Sequence, residues 1–303
     1  MVISKGIKPM KRGSVLLRFG LGLVLTMSIQ PLFLEAATSI NALNKNAYGA
    51  NMGWIDFRGN TNNGAVIGEF VCSGFLYGAN IGWIHLGSDA PANGIQYQNN
   101  SASDYGVNHD GLGNLRGFAY GANIGWINFE SNGIPRVDLK TGKLSGSIYS
   151  ANCGWISLSN AFALVQTDTI ADGADVNANG LPDAWERTFF GTLGVNPNSD
   201  PDGDGMSNQQ EYLAGTNPTN SLSNLQITVF NSSLGGTNAS LTWSSVLTRY
   251  YSIQETTNLT SQLWVNNSIG VIVPSGLSTT RAFTDSNATN RFYRVEAFRP
   301  LAP

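Results

Sequence analysis

Apolar and polar residues alternate in short runs along most of the chain, and the runs are cut by Gly, Asn and Ser. One pattern repeats. Tyr48-Gly-Ala-Asn51-x-Gly-Trp54-Ile-x-Phe57 returns around Trp83, Trp126 and Trp155, so that the tryptophans stand 29, 43 and 29 residues apart. Periods of this size mark stacked supersecondary units, none of which buries its apolar face alone. Each unit reads as strand–turn–strand, with Gly-Ala-Asn supplying residues that tolerate left-handed backbone. In the second strand the period of two puts Ile and the final Phe or Leu on one face and Trp with the variable residue on the other. The longer gap between the second and third units, around 90–104, predicts an inserted loop, and Pro135–Leu139 with Lys140-Thr-Gly142 predicts a hairpin.

Beyond residue 224 the alternation resumes in seven short runs, at 225–230, 239–243, 250–255, 263–265, 271–273, 281–284 and 291–298. Seven strands in so short a span predict a β-sandwich. The fold expected is mostly β: a β-hairpin or meander repeat domain over 37–165, a small loop–helix module over 168–220, and a C-terminal β-sandwich over 222–300.

The first 36 residues differ from all the rest. Lys5, Lys8, Lys11, Arg12 and Arg18 precede an apolar run, Phe19 to Ile29, and then the small residues Ala36 and Ala37. This is the order of a secretory signal peptide, and the uncharged run is shorter than the ~20 residues of a spanning helix. A signal peptide over 1–36, no membrane span after its cleavage, and a secreted, cell-surface or periplasmic product are expected. Cys72 and Cys153 both fall in slots that other units fill with Leu, Met or Ile, which favours buried free thiols over a disulfide.

Charge changes the picture at the centre. Residues 168–211 carry nine acids against Arg187 alone, whereas the remainder of the exported chain is nearly neutral. Such clustering suits a bound cation and argues against nucleic acid, which needs a basic face. Residues 175–186 read Asp-Val-Asn-Ala-Asn-Gly-Leu-Pro-Asp-Ala-Trp-Glu, and residues 200–211 read Asp-Pro-Asp-Gly-Asp-Gly-Met-Ser-Asn-Gln-Gln-Glu. Both carry oxygen-bearing side chains at positions 1, 3, 5, 9 and 12 of a twelve-residue EF-hand-type loop, with Gly at position 6. A cation of calcium's size takes six to eight oxygens, and a tightly wound loop supplies them from alternate residues. The expected ligands are Asp175, Asn177, Asn179, the Leu181 carbonyl, Asp183 and Glu186 in one site. In the other they are Asp200, Asp202, Asp204, the Met206 carbonyl, Asn208 and Glu211. Two calcium ions follow.

Each loop leads into a helical pattern, and neither has a convincing helix before it. A duplicated loop with an exit helix resembles dockerin modules and thrombospondin type 3 repeats. The second loop with Glu211-Tyr-Leu-Ala-Gly-Thr-Asn-Pro218 is similar to the thrombospondin-like loops of secreted bacterial proteins. That resemblance implies calcium-dependent folding or rigid spacing of modules. It does not carry a cohesin partner across, because Ala184-Trp185 and Gln209-Gln210 depart from the dockerin recognition pairs. Tyr251–Leu259 and Arg291–Glu296 resemble small fibronectin-type-III-like modules, which implies adhesion or anchoring.

Catalytic chemistry finds little support. His85 and His109 are the only histidines, there is no Gly-x-Ser-x-Gly elbow or His-Glu-x-x-His helix, and nothing selects a pair from Asp56, Glu69, Asp110 and Glu130 for glycoside hydrolysis. The chain is expected to be a non-enzymatic calcium-binding surface or matrix protein, with a polysaccharide or another surface protein as candidate partner. The repeated Trp54, Trp83, Trp126 and Trp155 are expected to pack as an aromatic ladder in the core. The alternative is that they form a glycan-binding face, or, less favoured, serve a glycoside-active enzyme.

Overall fold

The computed structural model describes residues 38–59, 62–232, 238–260, 263–284 and 291–303. The expected signal peptide lies outside them. The described residues belong to one unit, Ala36–Pro303, and no helix in them is long and apolar enough to cross a membrane.

The four repeats form four hairpins, and the hairpins close on themselves. The ring runs through Ile40–Gly49, Gly53–Asp56, Cys72–Gly78, Gly82–Gly87, Leu115–Gly121, Gly125–Asn128, Ser147–Ser150 and Gly154–Ser157. Every pairing around it is antiparallel, and the last strand pairs with the first. Registers repeat around the ring. Tyr faces Trp within each hairpin, as in Tyr48↔Trp54 and Tyr77↔Trp83. Between hairpins the variable residue faces the next Tyr: Asp56↔Tyr77, His85↔Tyr120, Asn128↔Tyr149, and, at the closing seam, Ser157↔Tyr48. Leu164–Thr167 pairs with the first strand outside the ring, across a register shift.

An eight-stranded barrel has an interior just wide enough for side chains to fill. Ile55, Ile84, Ile127 and Ile156 point into it with Ala47, Leu76, Ala119 and Ile148, all essentially inaccessible. Fully burying an isoleucine is worth about 1.5–3 kcal/mol. Leu86, near the end of its strand, and Phe57, Phe129 and Leu158, one residue beyond theirs, extend the same core.

This geometry overturns the expected aromatic ladder. The alternation that sends each Ile inward sends its neighbouring Trp outward, and Trp54, Trp83, Trp126 and Trp155 are 44–51% exposed on the barrel's outer face. Each leans on the Tyr of its own hairpin, with ring centroids 4.8–5.2 Å apart.

The turn chemistry also differs from expectation. The left-handed residue is the glycine just before each Trp, with φ of 82° at Gly53, 78° at Gly82, 71° at Gly125 and 83° at Gly154. The asparagines instead tie the units together. The side-chain amide of Asn80 donates to the Met52 carbonyl, Asn123 to Ile81, Asn152 to Ile124 and Asn51 to Cys153, at 3.0–3.1 Å. They form a closed ring of four bonds at one end of the barrel, above the plug of Met52, Ile81, Ile124 and Cys153. Both cysteines are free thiols.

The region at 88–106 has turns and bends, with a single isolated bridge, Ser101 to Asp104. The hairpin at Arg136–Val137 and Leu144–Ser145 is present. Among the described residues of the C-terminal segment six strands form two three-stranded sheets. One joins Ile227–Ser232, Asn238–Ser244 and Ser278–Thr284; the other joins Val265–Asn266, Tyr250–Thr256 and Phe292–Phe298. Leu241, Trp243 and Phe283 of the first sheet share one core with Tyr251 and Ile253 of the second. The run at 271–273, expected as a seventh strand, makes only a bridge from Ile272 to Tyr251.

Candidate metal centre

The two acidic loops share one backbone design. In each, the position-1 Asp accepts from the position-6 glycine: Gly180 N to Asp175 Oδ2 at 2.8 Å, Gly205 N to Asp200 Oδ2 at 2.9 Å. In each, the residue at position 5 accepts from position 7, so Asn179 takes the Leu181 N–H and Asp204 takes that of Met206, both at 2.8 Å. Position 3 accepts from position 5 in both, through Asn177 Oδ1 and Asp202 Oδ1. These bonds wind the chain so that side chains 1, 3 and 5 turn to one centre. The helices that follow are α1, Asp183–Phe190, and α2, Asn208–Ala214. Helix α2 starts on a full capping box: Ser207 accepts from Gln210 N, and the Gln210 side chain returns to the Ser207 N–H. Such a cap is worth about 1 kcal/mol and fixes where Glu211 sits.

The loops part company at position 12. Glu186 and Glu211 are both fully buried. Glu186 is satisfied within the protein: Asn177 Nδ2 donates to Oε2 at 3.0 Å, while Asn179 Nδ2 at 3.0 Å and Val195 N at 2.6 Å donate to Oε1. Neither oxygen of Glu211 has a hydrogen-bond partner, and Asp202 Oδ2, Asp204 Oδ2 and Asn208 Oδ1 are buried and unpartnered as well. Five buried oxygens, most of them anionic, would each cost about 1–3 kcal/mol or more without a partner. Carboxylate oxygens of Asp200, Asp202 and Asp204 lie within 4.8 Å of one another. Burial pushes the Glu211 carboxyl up to about 7, and the charges of Asp202, Asp204 and Asp200 add to the shift. The nearby Thr216 hydroxyl, outside hydrogen-bonding geometry, pulls the other way. The donor set is all oxygen and strongly anionic, which suits a hard cation of calcium's size.

The structure thus brings the carboxylates of Asp200, Asp202 and Asp204 together, places Glu211 where their charges raise its carboxyl, and leaves the Asn208 oxygen buried and unpartnered in the same loop. Asn208 is held there by its own amide, which donates to Asn196 O at 2.9 Å and Ser199 Oγ at 3.1 Å. In the first loop Asp183 caps the turn instead, accepting from Val176 N at 3.0 Å. Among the described residues, none of that loop's side-chain oxygens is left buried without a partner. Position 4 differs too. Ala178 is left-handed, with φ of 54°, where the second loop has Gly203 at 77°. Leu181 and Trp185 pack with Tyr212 in a small core joined by Phe70 of the barrel. Sequence reasoning missed Asn196, Ser199 and Val195, which steady the two loops from the connecting segment; their positions follow no ligand spacing.

Residues 200–221 match the bacterial TSP3 repeat, a repeat of calcium-binding type. The match covers the second loop and its exit helix. Comparison with curated proteins and with solved structures gives no match.

Proposed function

We propose that this is an exported, non-catalytic calcium-binding protein of a surface or matrix, in which calcium orders residues 172–218 between the barrel and the C-terminal sheets. The observation that carries the reading is the set of five buried, unpartnered oxygens around Asp200–Glu211. A cation answers all of them at once. The first loop is the weaker of two sites, because Asn177 and Asn179 must turn their amides away from Glu186 before they offer oxygen to a metal. A non-catalytic role is supported by the employment of the candidate carboxylates. Asp56 pairs with Lys45 at 2.6 Å, Glu69 pairs with two arginines, Asp110 caps its own turn, and Glu130 accepts from Gly117 N. Affinity in the range of extracellular modules, on the order of 10⁻⁴–10⁻³ M or somewhat tighter, is expected at the second loop. Calorimetric titration should show uptake at millimolar calcium; a flat titration would end this reading.

Glycan binding is the second reading, favoured by the outward belt of Tyr–Trp pairs. The inserted loop thickens that belt on one side: Tyr105 stands 5.0 Å from the Trp126 ring and its hydroxyl lies 2.8 Å from His85 Nδ1. Flat apolar rings with polar edges are the surface on which sugars stack. Polysaccharide pull-down should then weaken in Trp83→Ala and Trp126→Ala proteins that keep their far-UV spectrum. Retained binding by both variants would remove the belt from consideration.

A further inference from the structure

Glu211 is followed directly by Tyr212, and Tyr212 is the meeting point of three parts of the chain. Its hydroxyl donates at 3.0 Å to Oε2 of Glu69, in the connection that leads into the barrel strand Cys72–Gly78. Glu69 is also paired with Arg249, at 3.1 Å, and with Arg299, at 3.2 Å, both contributed by the C-terminal segment. Arg299 reaches on to Asp172, at 2.6 Å, just before the first loop. Arg249 is 5% exposed and donates to the carbonyls of Tyr212, at 2.8 Å, and Leu213, at 3.0 Å. It thereby serves two of the last carbonyls of α2, that of Leu213 and that of Tyr212, the latter also accepting from the Gly215 N–H at 3.3 Å. The guanidinium of Arg299 lies 5.1 Å from the centre of the Tyr212 ring. The four charges of this junction balance, and all but Asp172 are largely buried.

We propose that calcium at the second loop controls a latch: by fixing Glu211 it fixes Tyr212, and through Tyr212 it holds Glu69 of the connection into the barrel together with Arg249 and Arg299 of the C-terminal segment. This rests on the calcium reading given above and adds the path by which the metal governs the joint. α2 is seven residues long, so Glu211 and Tyr212 cannot move independently. A metal that binds only the placement seen here shifts the population toward it, and whatever else that placement makes is strengthened by the same factor. Because coupling of this kind is reciprocal, groups of the latch that touch no metal must affect calcium affinity.

The test uses the full chain with Tyr212→Phe, which removes the hydroxyl alone, and Glu69→Gln, which is nearly isosteric. Hydrogen exchange is followed at 68–72 and 247–251 in calcium and in chelator, and calcium uptake is followed by calorimetry. In the wild-type protein calcium should slow exchange in both segments, although neither contains an expected ligand. The two variants should still take up calcium, with affinity reduced about fivefold or more, and should lose the calcium-dependent protection at 68–72. Wild-type protein that takes up calcium with no change at 68–72 or 247–251 overturns the latch and leaves the calcium site standing. So do variants whose affinity and protection equal the wild type. A wild-type protein that takes up no calcium overturns the site and the latch together.

Discussion

At the scale of single residues, Glu211 and Asn208 separate the proposed metal binding from structure. Glu211→Gln keeps the shape but removes the charge and weakens bidentate coordination, so calcium should no longer protect the segment between 198 and 224 from limited proteolysis. Asn208→Ala has a different outcome from the one its loop position suggests. Its amide clamps Asn196 and Ser199, so the variant should lose about 1–3 kcal/mol even without calcium, read by urea denaturation in chelator. Equal stability of the two proteins would contradict the clamp. The Glu211 carboxyl is raised from 4.5 to about 7, which sets a sign for pH. A carboxyl harder to ionise in the fold than in the unfolded chain imposes no penalty below 4.5 and its full penalty above about 7. The calcium-free wild-type protein should therefore lose more stability between pH 5 and pH 8 than calcium-free Glu211→Gln does. In calcium the trend reverses, since protons compete with the metal below about pH 7. In the first loop Ala178 is held left-handed, at a cost of roughly 1 kcal/mol. Ala178→Gly should recover about that amount, seen as a higher midpoint in denaturant; a lower midpoint would show that the strain is not there.

At the scale of elements, the hairpins were legible and their closure was not. The period of two announced that Ile and Trp occupy opposite faces, and the Tyr–Trp cross-strand pairs follow from it. Which face becomes the core depends on the ring, because closing eight short strands leaves room for Ile, Ala and Leu and none for four indoles. The role of the asparagines was hidden for a related reason. Each bonds a carbonyl in the neighbouring unit, a contact that exists only after the units stack. Asn123→Ala should cost about 1 kcal/mol in chemical denaturation, and Asn51→Ala at the closing seam should cost the same. A much larger loss at the seam would mean that the ring is held there by little else. In the C-terminal segment the run at 271–273 reads as a strand from its alternation. Only Ile272 is buried there, while Val271 and Val273 are 55% and 45% exposed, so one bridge suffices to hold it.

At the scale of the whole molecule, the two acidic loops were the most legible feature, because the spacing of their oxygen-bearing residues is local and each loop carries its own pattern. Their inequality was legible only in part. Asn177 and Asn179, which bond Glu186, stand where the second loop has Asp202 and Asp204, whereas the Val195 N–H that completes the set comes from outside the loop. The junction of Glu69, Tyr212, Arg249 and Arg299 joins residues up to 230 positions apart, and no local signal marks it. Calcium that binds the fold and not the unfolded chain raises stability by about 2.7 kcal/mol when its concentration is a hundred times the dissociation constant. Melting in calcium and in chelator should differ accordingly, and the difference should shrink sharply in Glu211→Gln. The most direct test of the central claim is an anomalous difference map from crystals grown in millimolar calcium. A peak is expected, ringed by Asp200, Asp202, Asp204, the Met206 carbonyl, Asn208 and both oxygens of Glu211, at about 2.3–2.6 Å from its direct ligands, with the first loop occupied less or only at higher calcium. A map with no peak at the second loop, and Glu211 still buried beside the three aspartates, would contradict it.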